Sequence, residues 1–468
     1  MTEPIKALLF GAGARGADAY GTYALAHPDE IRFVAVAEPD PTRRERFAQQ
    51  HGIPAALCFE DWEDALEKEI FADVVVNCTQ DQMHFESGVA ALQAGYDMLL
   101  EKPICHTLEK TVTLVKTAER LGRVLQICHV MRYTEFCQKI YEIVQSGQLG
   151  QVISVSHREN VAAYHMAHSY VRGNWRRVDQ SAPMILAKCC HDLDFLYWIL
   201  GEPVKTLSSV GNLRHFRPEN APGGAPLRCT DGCPVSDKCP YYAPGIYLEL
   251  LPFKHGLSNS QNKMLRIAGR LSINHPNFTK ALGRLIPMLR PLTEYKGWPR
   301  SVITDHPESD EAVVQALREG PYGRCVYHCD NDVVDHQVVT MSFESGISAT
   351  LTMHGHSYVE GRTIRIDGSH ATLLGKLSLS EGFIEIWDHR GFLRERIKLK
   401  TELEGTSGHG GGDAGLMQAF VRLLRGQADP LTSGRNALES HLLAFAAEEA
   451  RLEGKVVQME EFRERAGK

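Results

Sequence analysis

Through about residue 130, short apolar runs alternate with longer stretches whose apolar positions recur every three or four residues. The runs Ala7–Phe10, Phe33–Ala37, Asp73–Cys78, Asp97–Leu100 and Val124–Cys128 predict buried strands. The stretches Pro41–His51, Glu60–Glu69, Phe85–Ala94 and Leu108–Leu121 predict helices, with Gly95 closing the third. Strand and helix in regular alternation imply a doubly wound parallel sheet, which binds ligands beyond the carboxyl ends of its strands. Gly11, Glu38, Thr79, Lys102 and His129 each fall just past a strand end, so they share one rim. Further on the pattern changes. A helix over Phe136–Gln145 and a strand over Ile153–His157 precede an apolar helix over Met184–Leu200, closed by Gly201. The runs Val338–Phe343, Ser348–Met353, Thr363–Asp367 and Phe383–Trp387 predict an antiparallel sheet. The expected architecture is α/β: a Rossmann domain over 1–133, then an α+β domain over 134–468 with a mostly antiparallel sheet and an insertion at about 214–330.

The first strand runs into Gly11-Ala12-Gly13-Ala14-Arg15-Gly16, a complete G-x-G-x-x-G between strand and helix. Gly11 permits the tight turn, Gly13 lets backbone approach a pyrophosphate, and Gly16 lets helix pack close on strand. The second strand ends in Glu38, placed to hydrogen-bond ribose hydroxyls and to repel a 2′-phosphate. NAD is therefore expected over NADP, although Arg43 and Arg44 follow closely and weaken that preference.

The 468 residues carry a net charge of −7, which gives no reason to expect nucleic acid or an anionic membrane as partner. No apolar run approaches the roughly 20 residues of a membrane span. The first residues show no secretory h-region, so a cytoplasmic location is expected, with the twelve cysteines as thiols or metal ligands.

The series GAGARG, TQDQMH, AALQAGYDMLLEKPI and HVMRYTEF resembles the Gfo/Idh/MocA family of glucose–fructose oxidoreductase and inositol dehydrogenase. The likeness covers the first domain, resumes around His191, and returns at Leu431–Ala437. It implies cofactor contacts at Gly11, Gly13, Arg15, Gly16, Glu38, Thr79, His84, Glu101 and Lys102. It also places Lys102 beside the nicotinamide and the reacting hydroxyl. On the Met184–Leu200 helix the family carries Asp-x-x-x-His-x-x-Asp, and His191 and Asp194 match the last two positions. Ala187 replaces the first Asp, with Lys188 next to it, so the proton relay is expected to differ. Lys102, His191 and Lys188 are the candidate catalytic residues, with Asp194 spaced to orient His191. Candidate substrate contacts are His129, Arg132, Tyr164, His165, Trp175, His191 and His409; the stretch 160–177 offers aromatic faces and polar donors suited to a sugar. Asp413 is read as the N-cap of a following helix. The family's large sheet implies a homodimer or homotetramer.

Cys229-x₃-Cys233-x₅-Cys239 and Cys325-x₃-Cys329 flank the insertion and can meet at its neck. They read as ligands of structural zinc, with an iron–sulfur cluster as alternative and buried thiols as the plain reading. The expected activity is hydride transfer between NAD and a secondary alcohol of a sugar, glycoside or cyclitol, with histidine suited to take the hydroxyl proton. The alternatives are redox-neutral glycoside hydrolysis or elimination with tightly held NAD, and a non-catalytic NAD-binding regulator.

Overall fold

The computed structural model describes residues 3–285, 295–401 and 409–467. The first sheet has six strands: β1 (Ile5–Phe10), β2 (Ile31–Ala37), β3 (Cys58–Phe59), β4 (Val74–Asn77), β5 (Asp97–Leu100) and β6 (Leu125–Ile127). Their order is β3-β2-β1-β4-β5-β6, and every pairing is parallel. The order reverses between β1 and β4, which is where such sheets open a ligand crevice. Strands β1 and β4 are apolar on both faces because helices cover both; Leu8, Leu9, Val75 and Val76 have no exposed surface.

The second sheet has nine strands: β7 (Val152–Ala162), β8 (Val204–Asn212), β9 (His336–Phe343), β10 (Ser348–Ser357), β11 (Gly361–Gly368), β12 (Ala371–Ser378), β13 (Gly382–Asp388), β14 (Leu393–Lys398) and β15 (Val457–Gln458). The order is β14-β13-β12-β11-β7-β10-β9-β8-β15, parallel only between β7 and β10. Burial alternates along its strands, so one face packs inward and the other stays open. The C-terminal segment returns to the first sheet: Ile127 N–H donates to the Thr432 carbonyl at 2.8 Å, and the Gly434–Glu453 helix packs on the Leu108–Leu121 helix.

The expected Met184–Leu200 helix is two pieces, Met184–Ala187 and Cys190–Leu200, separated at Lys188 and Cys189. The break lies where the Ala187 carbonyl accepts from Lys102 of the first sheet. The insertion, between β8 and β9, is helical, and its two cysteine-bearing ends pair antiparallel through Arg228 and Arg324.

Candidate active site

The glycine turn follows β1 as the sequence requires. Gly11 has φ +85°, and a Cβ there would lie 2.6 Å from the Cys78 carbonyl oxygen. A Cβ on Gly16 would lie 2.1 Å from the Gly11 carbonyl oxygen. A Cβ on Gly13 would meet nothing within 4 Å: this glycine is not needed for packing and leaves its backbone approachable. Glu38 is almost buried, and its carboxylate accepts from Ala12 N–H at 2.7 Å and Asp40 N–H at 3.1 Å. Arg44 donates to the carbonyls of Glu38 and Pro39, and Arg43 pairs with Asp305 of the insertion at 3.4 Å.

Behind the turn lies a charged set. Arg15 donates to Glu101 at 2.6 Å, to Tyr20 Oη at 2.7 Å and to Asp413 at 2.7 Å. Tyr20 also donates to Glu101 at 2.6 Å. Burial pushes the Glu101 carboxyl up, but Arg15 and the Tyr20 hydroxyl more than offset this and hold it below its usual range. Asp413 is therefore not the helix cap expected of it: Gly411 holds that position and Asp413 turns inward to Arg15. Thr79 N–H and Oγ1 both donate to Asn77 Oδ1. His84 is fully buried, its ring nitrogens 2.7 Å from the Pro103 carbonyl and 3.1 Å from the Thr79 carbonyl. It ties the loop after β4 to the loop after β5.

Lys102 follows β5, and its Nζ donates to the Ala187 carbonyl at 2.8 Å. The position where the resembling family has a carboxylate thus serves the lysine through its backbone. His191 opens the second helical piece, one turn on, and is 6% exposed. Its Nδ1 lies 3.3 Å from His129 Nδ1. One expectation is corrected here. Asp194 does not orient His191; it accepts a two-pronged contact from Arg132, with Nε and Nη2 both at 2.7 Å. His129 and Arg132, candidate substrate contacts, are engaged within the protein. His129 has no exposed surface, and Arg132 spends its third nitrogen on the Leu431 carbonyl at 2.9 Å.

Lys188, a candidate catalytic residue, is held in a buried ion-pair network. Its Nζ lies 3.1 Å from Glu360 and 3.3 Å from Glu159. Burial alone favours neutral lysine, but Glu360 and Glu159 hold its ammonium well above the usual range. Glu159, fully buried, is pushed up to about 7 by that burial against the pull of Arg362 and Lys188. His165 joins this network through Glu360 at 3.0 Å. The insertion supplies Trp298, whose ring lies 5.9 Å from Tyr164, 4.9 Å from His165 and 5.2 Å from His168 between centroids. Trp175 gives its indole N–H to Asp81 at 2.9 Å, joining the 160–177 stretch to the first sheet's rim. The His409 side chain, with Ser407 and Gly408, lies outside the described residues.

Cys229, Cys233, Cys239 and Cys325 do meet, lining one small cavity with the buried Arg172 at the neck of the insertion. Cys329 turns aside and gives its thiol to the Cys325 carbonyl at 3.3 Å. Among the described residues no group of three or more His, Cys, Asp or Glu side chains is disposed to hold a metal ion. The four cavity thiols form no disulfide; Cys229 and Cys325 are buried, and Cys233 and Cys239 are half-buried.

Residues 5–129 match the family model described as oxidoreductase family, NAD-binding Rossmann fold, and residues 137–250 match the GFO/IDH/MocA C-terminal domain. The chain belongs to this family of NAD-binding oxidoreductases. A putative oxidoreductase, YteT of Bacillus subtilis, is 22% identical over 402 residues, covering 81% of this chain and 80% of that protein. D-glucoside 3-dehydrogenase of Escherichia coli is 28% identical over 153 residues, covering 32% of this chain and 42% of that protein. An oxidoreductase from Agrobacterium radiobacter, solved in complex with NAD⁺, L-tartaric acid and magnesium, superposes with a TM-score of 0.64 at 15% identity, covering 98% of this chain and 99% of that one.

Proposed function

We propose that this protein moves a hydride between NAD and a secondary alcohol of a sugar, glycoside or cyclitol. The observation that carries the reading is the seating of Lys102 against Ala187, one helical turn from His191, on the same rim as the glycine turn. The turn fits a dinucleotide: Gly13 leaves its backbone open, and Glu38 sits at the end of β2 hydrogen-bonded to Ala12. A carboxylate there favours two ribose hydroxyls over a 2′-phosphate, so NAD is preferred to NADP. NAD, when bound, accepts the hydride. His191 takes the hydroxyl proton, and Lys102 donates a hydrogen bond to the same oxygen as negative charge develops on it. The Ala187 carbonyl occupies one ammonium hydrogen of Lys102 and fixes the direction of the rest. Tyr164, His165 and Trp298 offer ring faces and polar edges of the kind that bind a carbohydrate. The D-glucoside 3-dehydrogenase relative supports this substrate class.

The test is a panel of sugars, cyclitols and glycosides with excess NAD, following reduced cofactor and products together. Reduced nicotinamide accumulating in step with a ketone is expected, and His191→Ala lowers kcat at least about 10²-fold. A glycoside cleaved without net reduction replaces this reading with redox-neutral cleavage, and tight NAD binding with no turnover replaces it with a regulator. We further propose a cytoplasmic setting, where the twelve free cysteines persist as thiols, and a dimer or tetramer through the open face of the nine-stranded sheet. Light scattering on the eluting protein decides the latter.

A further inference from the structure

We propose that His129 is a positioning residue: it accepts a hydrogen bond from Nδ1–H of His191 and so makes Nε2 of His191 the basic nitrogen. This rests on the reading of His191 as the base. Ile104 N–H can only donate, and it points at Nε2 of His441 at 2.9 Å. Neutral His441 therefore carries its hydrogen on Nδ1, which faces the Ala437 carbonyl at 2.8 Å. The Ser440 hydroxyl lies 2.7 Å from that same carbonyl and donates to it. Its oxygen is left as an acceptor for His129 Nε2 at 3.3 Å. Asp194 Oδ1 lies 4.0 Å from the same nitrogen and draws hydrogen to it as well. Neutral His129 thus holds its hydrogen on Nε2 and a lone pair on Nδ1. Across the 3.3 Å gap, only Nδ1–H of His191 matches that lone pair.

The opposite assignment fails twice. It puts a lone pair of His129 toward the Asp194 carboxylate, and it blocks Nε2 of His191 with hydrogen. The groups facing His129 are His191 and Asp194 on the Cys190–Leu200 helix, Arg132 beside it, Glu101 and Lys102 after β5, and Ser440 and His441 on the C-terminal helix. Burial lowers the His129 imidazole to about 4; Asp194 pulls it up, while Arg132 and Lys102 pull it down. His129 therefore stays a neutral acceptor as His191 gains a proton, and the His191 imidazolium gains a stronger, charge-assisted bond. A triad carboxylate fixes its histidine's tautomer in the same manner; here a second imidazole does so, backed by Ser440 and Asp194.

His129→Asn keeps an acceptor near the Nδ1 position, whereas His129→Phe keeps the volume and loses the acceptor. We expect the Asn variant to stay within about tenfold of wild-type kcat. The Phe variant should fall about 10²-fold with little change in KM or NAD affinity. Its acid limb in kcat for alcohol oxidation should also move to lower pH, because His191 loses the partner that favours its imidazolium. A residue that only fills space would give the reverse order, with Phe mild and Asn worse, and that result overturns the proposal. A His191→Ala variant measured alongside separates the two claims: normal turnover there sinks the base assignment, whereas its loss beside an unaffected Phe variant sinks only the role of His129. Nitrogen NMR of isotope-labelled histidines in the NAD-loaded protein gives a reading without substrate. Hydrogen on Nδ1 of His191 is expected, and hydrogen on Nε2 overturns the assignment.

Discussion

Two glycines of one turn are required for different reasons, and substitution separates them. Gly11→Ala places a methyl 2.6 Å from the Cys78 carbonyl at φ +85°, so the folded chain must shift before any ligand arrives. Its melting temperature should fall, with loss on the order of 1–3 kcal/mol. Gly13→Ala meets no protein atom within 4 Å, so the free protein should melt as wild type while NAD affinity drops at least about tenfold. Calorimetric melts with and without NAD read both outcomes. Lys188 makes the opposite case, a residue that looks chemical in sequence and is held by structure. Lys188→Met leaves Glu360 and Glu159 buried without their shared cation, at a cost of about 3 kcal/mol or more. Glu159 already lies near 7, so it escapes part of that cost by taking a proton, and the loss should be smaller at pH 6 than at pH 8. At this scale the sequence marks which residue types can do chemistry, as with Lys102 and His191. It does not mark which have their protons already committed, because the committing partners lie far along the chain: Asp194 for Arg132 is 62 residues away, and Glu360 for Lys188 is 172.

Elements near one another in sequence were legible, and those joined from afar were not. Five of the six strands of the first sheet show in apolar spacing because they are largely buried by the helices around them, whereas β3, two residues at the sheet edge, leaves no such run. The spacing over Met184–Leu200 correctly predicts an apolar helix but misses its break, where the Ala187 carbonyl accepts from Lys102, 85 residues away, and no proline or glycine in the run marks the place. Asp413 shows the same limit. Its place at a helix start invites a capping role, yet it lies under the glycine turn bound to Arg15, 398 residues away. The Gly412–Leu424 helix is thus a brace for the cofactor turn. Asp413→Asn should weaken the charge-assisted contact to Arg15 and destabilise the free protein by about 1–3 kcal/mol, read as a lower melting temperature. It should also raise the Kd for NAD, because Arg15 would be less firmly held beneath Gly13. An unchanged Kd alongside a lower melting temperature would confine Asp413 to the fold. The 160–177 stretch reads as a sugar-binding loop from composition, but Trp298 of the insertion, which lies over its rings, carries no local signal of that role.

For the whole molecule, the buried ionisable groups predict how stability moves with pH, and the sign depends on histidines and one glutamate pulling oppositely. Burial depresses His129 to about 4 and His441 to about 3. An unfolded histidine titrates near 6.5, so between about 6.5 and 4 the unfolded chain binds protons that the folded chain refuses. Stability supplied by these neutral rings is complete above pH 6.5 and is lost as pH falls through that window, by up to about 1.4 kcal/mol per pH unit for each proton. Glu159 acts against this. Its folded value of about 7 lies above the unfolded carboxyl, so between about 4.5 and 7 the folded state holds the extra proton and is favoured by acid. These two histidines already outweigh the accepting glutamate, burial lowers His51 to about 4 as well, and the net expectation is a protein that loses stability on acidification below pH 6.5. Denaturant unfolding at a series of pH values measures the slope directly. The Glu159→Gln variant removes the opposing group, and its slope between pH 6.5 and 4.5 should steepen by up to one proton. A slope unchanged in that variant would show that Glu159 is ionised in the fold and that Lys188 and Arg362 together outweigh its burial.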